Sequence, residues 1–343
     1  MKKIIIEAYS PSHLFFFLPY VQKKIKHIEL IWHGEKSFIE NLPKELILPD
    51  HIYCYTSSSS IKSWRPSRSE ANKYRGFLLS NFKRNQDYII YSPFNYGIYF
   101  ELLKQTFLID DESIILYDDG MAGFLPNKIK YKIFKELFYR YHGILTSVPN
   151  YQLYASPSLK KGFSINPNLI YRGDNKNLQI EDISEHIAEF MEKVYLNNYT
   201  EELEDNSALI ATHHAIENNR MSENSYFSKI KEVINKIYEL GINKIYFSMH
   251  HQEDHNKKYE QYKSLGMTPI KNQNIPLEVF CCSEELKVLA QPFNTIPFMA
   301  SSLGLLNQKK VVSYHLENMP LINERVLLIK KLLREQNIEH YLI

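Results

Sequence analysis

Residues 113–120 read SIILYDDG. Ile114, Ile115 and Leu116 form an unbroken apolar run, whereas a strand with one face in water alternates apolar and polar residues. A continuous run of this kind is what a parallel strand covered on both faces requires. It ends in Tyr117, Asp118, Asp119 and Gly120. Ligands of open parallel sheets bind at the carboxyl ends of strands, so two carboxylates at this end fall where a crevice is expected. Neighbouring residues of an extended chain point in opposite directions. One acid can therefore face the crevice while the other bonds nearby backbone. Gly120 allows a sharp turn or the close approach of a ligand. Turn chemistry that merely ends a strand uses the same residue types, and both readings stand at this point.

The same pattern extends outward from this strand. KKIIIEA near the amino end, IELIWHG from Ile28 and DYIIYS from Asp87 to Ser92 are β-rich runs, and IYFELLKQTFL from Ile98 has helical apolar spacing. Between Ile183 and Asn206 the composition turns charged and helix-forming, which reads as a connecting helix and linker. A second series begins with SALIATHH at Ser207. A helix is expected from about Ser228 to Leu240 with Gly241 as its stop, followed by KIYFSMHH, PLEVFCC, TIPFMASSLGLLNQ and KKVVSYH. INERVLLIKKLLREQ closes the chain with apolar residues at helical spacing and can pack on either half. The expectation is a first domain over 1–185, a linker over 186–206, a second domain over 207–320 and a terminal helix in 321–343. Alternating strands and helices in both halves predict two Rossmann-like α/β domains facing across a cleft.

Composition narrows the function classes. The chain has 343 residues with 41 Lys and Arg against 39 Asp and Glu, a formal net charge of +2. Bulk charge supplies no drive toward nucleic acid. Runs such as LFFFLPYV at Leu14 to Val21 are far shorter than the roughly 20 residues that span a bilayer, and no signal-peptide core follows Lys2 and Lys3. A cytoplasmic protein is expected. Cys54, Cys281 and Cys282 lack the number for a disulfide framework and the spacing for a metal site. No GxGxxG and no GxxxxGK[ST] occurs, so ordinary dinucleotide enzymes and P-loop NTPases are disfavoured.

Three further places carry candidate chemistry. Residues 248–255, SMHHQEDH, close a predicted strand. His251 and His255 would share a face only in a helix, and HExxH is not matched, so a metal is not expected; a histidine at a strand end can instead stabilise phosphate or donate a proton. His213 and His214 end SALIATHH in the same way and are expected to cap the sheet rather than line the crevice. Ser301 and Ser302 precede LGLLNQ, and hydroxyls with backbone N–H groups at the start of a helix make an anion site. Glu278 in IPLEVF can accept hydrogen bonds from ribose hydroxyls, although a half-exposed strand position accounts for it equally well.

Taken in order, Asp118, Asp119, Gly120, then His250, His251, Gln252, Glu253, then Glu278, then Ser301 and Ser302 resemble the motifs of bacterial sialyltransferases of the GT-B fold, the lipooligosaccharide sialyltransferase and polysialyltransferase families. Those families carry a D/E-D/E-G motif, a His-Pro motif often written HPRE, an acidic residue and a paired serine. The chain departs at the proline, where His251 stands. The resemblance implies an inverting transfer of sialic acid from CMP-sialic acid to a hydroxyl of a lipooligosaccharide or capsular glycan. It implies an acceptor-binding first domain and a CMP-sugar-binding second domain. In it Asp118 is the general base supported by Asp119 and Gly120, and His250, with His251 as the alternative, acts on the leaving phosphate. Glu278, Ser301 and Ser302 hold CMP, and neither cofactor nor metal is required. Implied partners are the CMP-sugar donor and a glycan acceptor, lipid-linked in some members, with peripheral contact to the inner membrane and none to nucleic acid. The terminal helix, with Arg325, Lys330, Lys331 and Arg334 beside apolar residues, is a candidate for that contact, and a packed helix with snorkelling cations is the favoured reading. Two rivals remain: a GT-B transferase using another CMP-linked acid or a nucleotide diphosphate sugar, and a noncatalytic glycan-assembly protein.

Overall fold

The computed structural model describes residues 2–25, 27–56, 66–118, 122–125, 131–146, 148, 153–250, 253–272, 275–292, 295–316 and 323–343. The chain divides into two compact units, Met1–Ile187 and Ala188–Ile343.

The first unit alternates β1 (Lys3–Ala8), α1 (Pro11–Lys24), β2 (Ile28–Trp32), α2 (Lys36–Glu40), β3 (His51–Cys54), α3 (Arg68–Asn81), β4 (Tyr88–Ser92), α4 (Ile98–Phe107) and β5 (Ile114–Leu116). It continues with α5 (Lys132–Tyr141), β6 (Lys161–Ser164) and β7 (Gln179–Asp182), and α6 (Ser184–Asn198) carries the chain on. The strands form one sheet in the order β3-β2-β1-β4-β5-β6-β7, every pair parallel. Crossover helices cover parallel strands on both faces, and this is why β2 and β5 are buried at every residue. Helix starts follow local chemistry. The Ser67 hydroxyl accepts from the Glu70 N–H while the Glu70 carboxylate accepts from the Ser67 N–H, a reciprocal cap for α3.

The second unit contains the rest of α6, then β8 (Ser207–Ala211), α7 (Glu223–Glu239), β9 (Lys244–Ser248), α8 (His255–Ser264), β10 (Thr268–Pro269), β11 (Leu286–Pro292), α9 (Ile296–Ser302), β12 (Lys310–Tyr314), α10 (Asn323–Glu335) and β13 (His340–Leu342). Its parallel strands run β10-β9-β8-β11-β12-β13. One face packs on α7 through Ile230, Val233, Ile234 and Ile237. Gly241 takes φ +80 directly after α7, the left-handed conformation that ends a helix at low cost.

The stretch 186–206, expected as connecting helix and linker, is helical through Asn198, and the unit boundary falls inside α6. The terminal helix belongs to the second unit. There α10 packs against α9, buries Ile329, Leu332 and Leu333, and is followed by β13 as an edge strand. PLEVFCC forms a 3-10 helix over Leu277–Cys282, so Glu278 is not on a half-exposed strand; it is buried. Among the described residues, no helix is long and apolar enough to cross a membrane.

Candidate active site

In the first sheet, β2 and β3 lie on one side of β1, and β4 to β7 lie on the other. The carboxyl ends of β1 and β4 therefore flank the point where the strand order reverses, the place at which open α/β sheets form a ligand crevice. Glu7 in β1 is fully buried beneath it. Its carboxylate accepts from the hydroxyls of Tyr9 at 3.1 Å, Tyr74 at 3.4 Å and Ser92 at 3.1 Å, and His33 Nε2 stands 3.5 Å away. The His33 ring stacks on Tyr9 with centroids 4.0 Å apart. Burial pushes the Tyr9 and Tyr74 hydroxyls well above the usual phenol range, so both remain protonated donors to the carboxylate. This hub was missed in the sequence. Its signal was an acid inside an otherwise apolar strand.

Asp118 lies two residues past β5 and is buried. Its Oδ2 accepts from the Ile165 N–H at 2.8 Å, and its Oδ1 faces the Tyr154 hydroxyl at 3.1 Å. The Tyr154 hydroxyl also lies 2.6 Å from the Phe163 carbonyl. Two glycines make room for the Tyr154 ring: a Cβ on Gly123 would approach it to 2.7 Å, and one on Gly162 to 2.5 Å. Tyr117, on the alternate side of the chain, donates to the Glu7 carbonyl and stacks on Phe17 at 4.2 Å. Strand alternation thus divides this stretch between the Glu7 hub and the Tyr154 pocket. Asp119 and Gly120 lie outside the described residues.

In the second sheet the reversal falls between β8 and β11. Three imidazole rings meet beside it. His213 and His214, following β8, stack at 4.4 Å; His250, following β9, lies 4.2 Å from His214 and 5.7 Å from His213. This corrects the expectation that His213 and His214 only cap the sheet. Ala211 of β8 pairs with Ser248 of β9, so residues two or three positions beyond each strand become lateral neighbours. His213 is held at its N–H by the Tyr226 hydroxyl at 2.9 Å, and its buried Nδ1 has no hydrogen-bond partner among the described residues. Burial and the adjacent His214 push its pKa down to about 3, which keeps it neutral. Gln291, near the end of β11, is also fully buried, and neither atom of its amide has a partner among the described residues.

A buried carboxylate fixes the His250 backbone. Glu253 accepts from the His250 N–H at 2.8 Å, from the Tyr262 hydroxyl at 2.6 Å, from Lys258 Nζ at 3.1 Å and from the Thr212 hydroxyl. Lys258, itself buried, also pairs with Glu217 at 2.9 Å. Glu253 is thus the anchor of the turn that aims His250. His251 and Gln252 lie outside the described residues.

The paired serines do not fit their expected place. Pro297 starts α9 early, at Ile296, so Ser301 and Ser302 occupy its last turn instead of the first turn of a following helix. A helix C-terminus presents carbonyls and a negative dipole end, which disfavours phosphate. Ser301 is committed elsewhere. Its hydroxyl donates to Gln336 Oε1 and its carbonyl accepts from Gln336 Nε2 at 2.9 Å, tying α9 to the end of α10. Glu278 sits in the 3-10 helix, where burial pushes its carboxyl up to about 7. Among the described residues, no three or more His, Cys, Asp or Glu side chains are arranged so that they could hold a metal ion, the three meeting histidines included.

No protein-family model matches the chain, and no curated protein sequence does. Solved structures do match in fold. A 2,6-sialyltransferase of Photobacterium sp. JT-ISH-224 aligns with TM-score 0.58 at 14% identity over 99% of this chain and 78% of that one. An α/β-galactoside α-2,3-sialyltransferase of Photobacterium phosphoreum gives 0.53 at 10% over 99% and 98%. A UDP-GlcNAc 2-epimerase of Methanocaldococcus jannaschii gives 0.55 at 13% over 98% and 92%. The fold is GT-B. The two Rossmann-like α/β units described above are those of this architecture, and at such identities the likeness carries the fold and no reaction.

Proposed function

We propose that the chain is an inverting glycosyltransferase that moves sialic acid from CMP-sialic acid to a hydroxyl of a cell-surface glycan, lipooligosaccharide or capsular. The observation that carries this reading is the meeting of His213, His214 and His250 beside the strand reversal of the second unit, where the neighbouring β11 carries the buried, unpartnered Gln291 amide near its carboxyl end. Imidazole and amide donors at strand carboxyl ends suit a phosphate-bearing sugar nucleotide. The ordered motif resemblance supports the choice of donor.

In this mechanism the acceptor hydroxyl gives its proton to Asp118, and its oxygen forms a bond to the anomeric carbon as the bond from that carbon to the CMP oxygen breaks. Attack from the face opposite the leaving group inverts the centre. Negative charge that grows on the phosphate is met by His250, as cation or proton donor. The Ile165 N–H fixes one oxygen of the Asp118 carboxylate, and Glu253 keeps the His250 backbone in one geometry. Glu278 faces the nucleoside. The histidines meet the charge that a divalent ion otherwise offsets, so no metal is required.

Two measurements test the proposal. CMP and UDP are added separately while unfolding is followed; CMP alone should raise the apparent stability. The protein is then incubated with CMP-sialic acid and lactosyl and sialyl acceptors, and products are read by mass. Gain of one or more sialic-acid masses is expected. Stabilisation by UDP with no sialylated product would assign the site to a nucleotide diphosphate sugar.

A further inference from the structure

Past Ala211 and Ser248 the ladder between β8 and β9 runs out, and Thr212 makes the last bond across it, to the Ser248 carbonyl at 3.0 Å. The backbone N–H groups that follow need other acceptors. His213 and His250 both find one on a side chain. The His213 N–H donates to the Tyr226 hydroxyl on α7 at 2.9 Å, and the His250 N–H donates to the Glu253 carboxylate at 2.8 Å.

These two acceptors are joined to each other. The Tyr262 hydroxyl on α8 lies 2.6 Å from Glu253 and 3.1 Å from the Tyr226 hydroxyl. A carboxylate can only accept, so the single Tyr262 proton goes to Glu253 and Tyr226 donates to the Tyr262 oxygen. The protons then run one way, from the His213 N–H through Tyr226 and Tyr262 to Glu253, which the His250 N–H meets from the other side. Tyr226, Tyr262 and Glu253 are all buried. Burial pushes both hydroxyls well above the usual phenol range, so each keeps the proton that it donates. Lys258 Nζ offsets the carboxylate charge at 3.1 Å and stands 5.1 Å from the centre of the Tyr226 ring. Its other partner, Glu217 at 2.9 Å, follows His214 in the same loop and accepts from the Asp254 N–H at 2.9 Å. The loops after β8 and β9 are therefore tied twice. Phenylalanine at 226 or 262 would fill nearly the same space, so what the hydroxyls add is the chain of bonds, whose members reinforce one another.

We infer that Tyr226 and Tyr262 are positioning residues, which couple the backbone of His213 to that of His250 and present the two rings to the leaving phosphate as one unit, a role that rests on the phosphate chemistry proposed above for His250.

The test reads the backbone amide NMR signals of His213 and His250 in the full chain labelled at histidine, beside sialyl transfer. Tyr226→Phe removes the bond to His213 alone, Tyr262→Phe removes a bond to neither histidine, and both variants keep their rings. Each should nevertheless move both signals. Tyr246→Phe, which removes a β9 hydroxyl bonded to Glu204, should move neither. Each relay variant should lower kcat about tenfold or more, as misplaced catalytic groups do, while KM for CMP-sialic acid stays within about threefold. The double variant should lose no more than the more damaging single one, because both changes break one network. Circular dichroism and melting curves verify the fold, and either single variant that keeps it suffices. A folded Tyr226→Phe that moves only the His213 signal, or a folded Tyr262→Phe that moves neither, would overturn the coupling. So would losses in kcat that multiply in the double variant. Wild-type protein that transfers no sialic acid would refute the reaction instead, and the amide signals, which need no donor, would then decide the coupling by themselves.

Discussion

Replacing Asp118 separates its chemistry from its structural bonds. Its two carboxylate oxygens meet different groups: Oδ2 takes the Ile165 N–H at 2.8 Å, and Oδ1 faces the Tyr154 hydroxyl, which has the Phe163 carbonyl within 2.6 Å. In Asp118→Asn the amide oxygen can keep the Ile165 N–H. The new amide N–H can donate to the Tyr154 oxygen, whose own proton then goes to the Phe163 carbonyl. Every polar group stays paired, so the stability cost should be below about 1.5 kcal/mol, the size of one ordinary hydrogen bond. Asp118→Ala leaves the Ile165 N–H buried without an acceptor, at about 1–3 kcal/mol, and adds a small void. At about 2–4 °C per kcal/mol for a unit of this size, Ala should lower the melting temperature by roughly 2–12 °C and Asn by clearly less. Both should lower turnover by about 100-fold or more, the scale of general-base catalysis, while CMP still stabilises each variant. The assay is initial-rate sialyl transfer beside thermal unfolding. Near-normal turnover in Asp118→Asn would remove the base from the mechanism. Equal melting temperatures for Asn and Ala would refute the bonding argument.

Four further outcomes follow from the second unit and the phosphate chemistry. Lys258→Met should cost about 3–5 kcal/mol because Glu253 and Glu217 lose their buried cation, and a melting temperature within a degree or so of wild type would contradict that pairing. With its pKa pushed from 4.5 to about 7, Glu278 keeps a proton in the native state that the unfolded chain has lost between those values, so its contribution to stability falls as pH rises through that window. Glu278→Gln should therefore stabilise by on the order of 2–3 kcal/mol at about pH 8 and by little at about pH 4, with equal effects at both pH values against the argument. His213, pushed from 6.5 down to about 3, binds its proton only in the unfolded chain across that window, so stability falls as pH drops through it; His213→Asn should flatten the acid limb of a denaturation series, and an unchanged slope would count against a neutral buried ring. Transfer should persist in EDTA, and a complete loss restored by Mg²⁺ or Mn²⁺ would overturn phosphate handling by histidine and amide donors.

The alternation of apolar runs with helical spacing was enough to read the α/β class, two series of elements and the strands β1, β2, β4, β5, β8 and β9, because parallel strands buried on both faces must be apolar along their length. Short or polar strands such as β3, β7 and β13 are exposed or half-buried sheet edges placed by pairing with their neighbours, and their own residues carry no comparable signal. The carboxylate position of Asp118 was legible as a strand end, but its bonds to Tyr154 and Ile165 join segments 36 and 47 residues away. The histidine meeting was hidden for the same reason: His213 and His250 become neighbours only through the register of β8 on β9. Ser301 and Ser302 were misread because a run of apolar residues does not say where a helix begins, and Pro297 moved that start five residues earlier. Local order therefore fixes which residues can form each element, while the sheet register decides which side chains share a site.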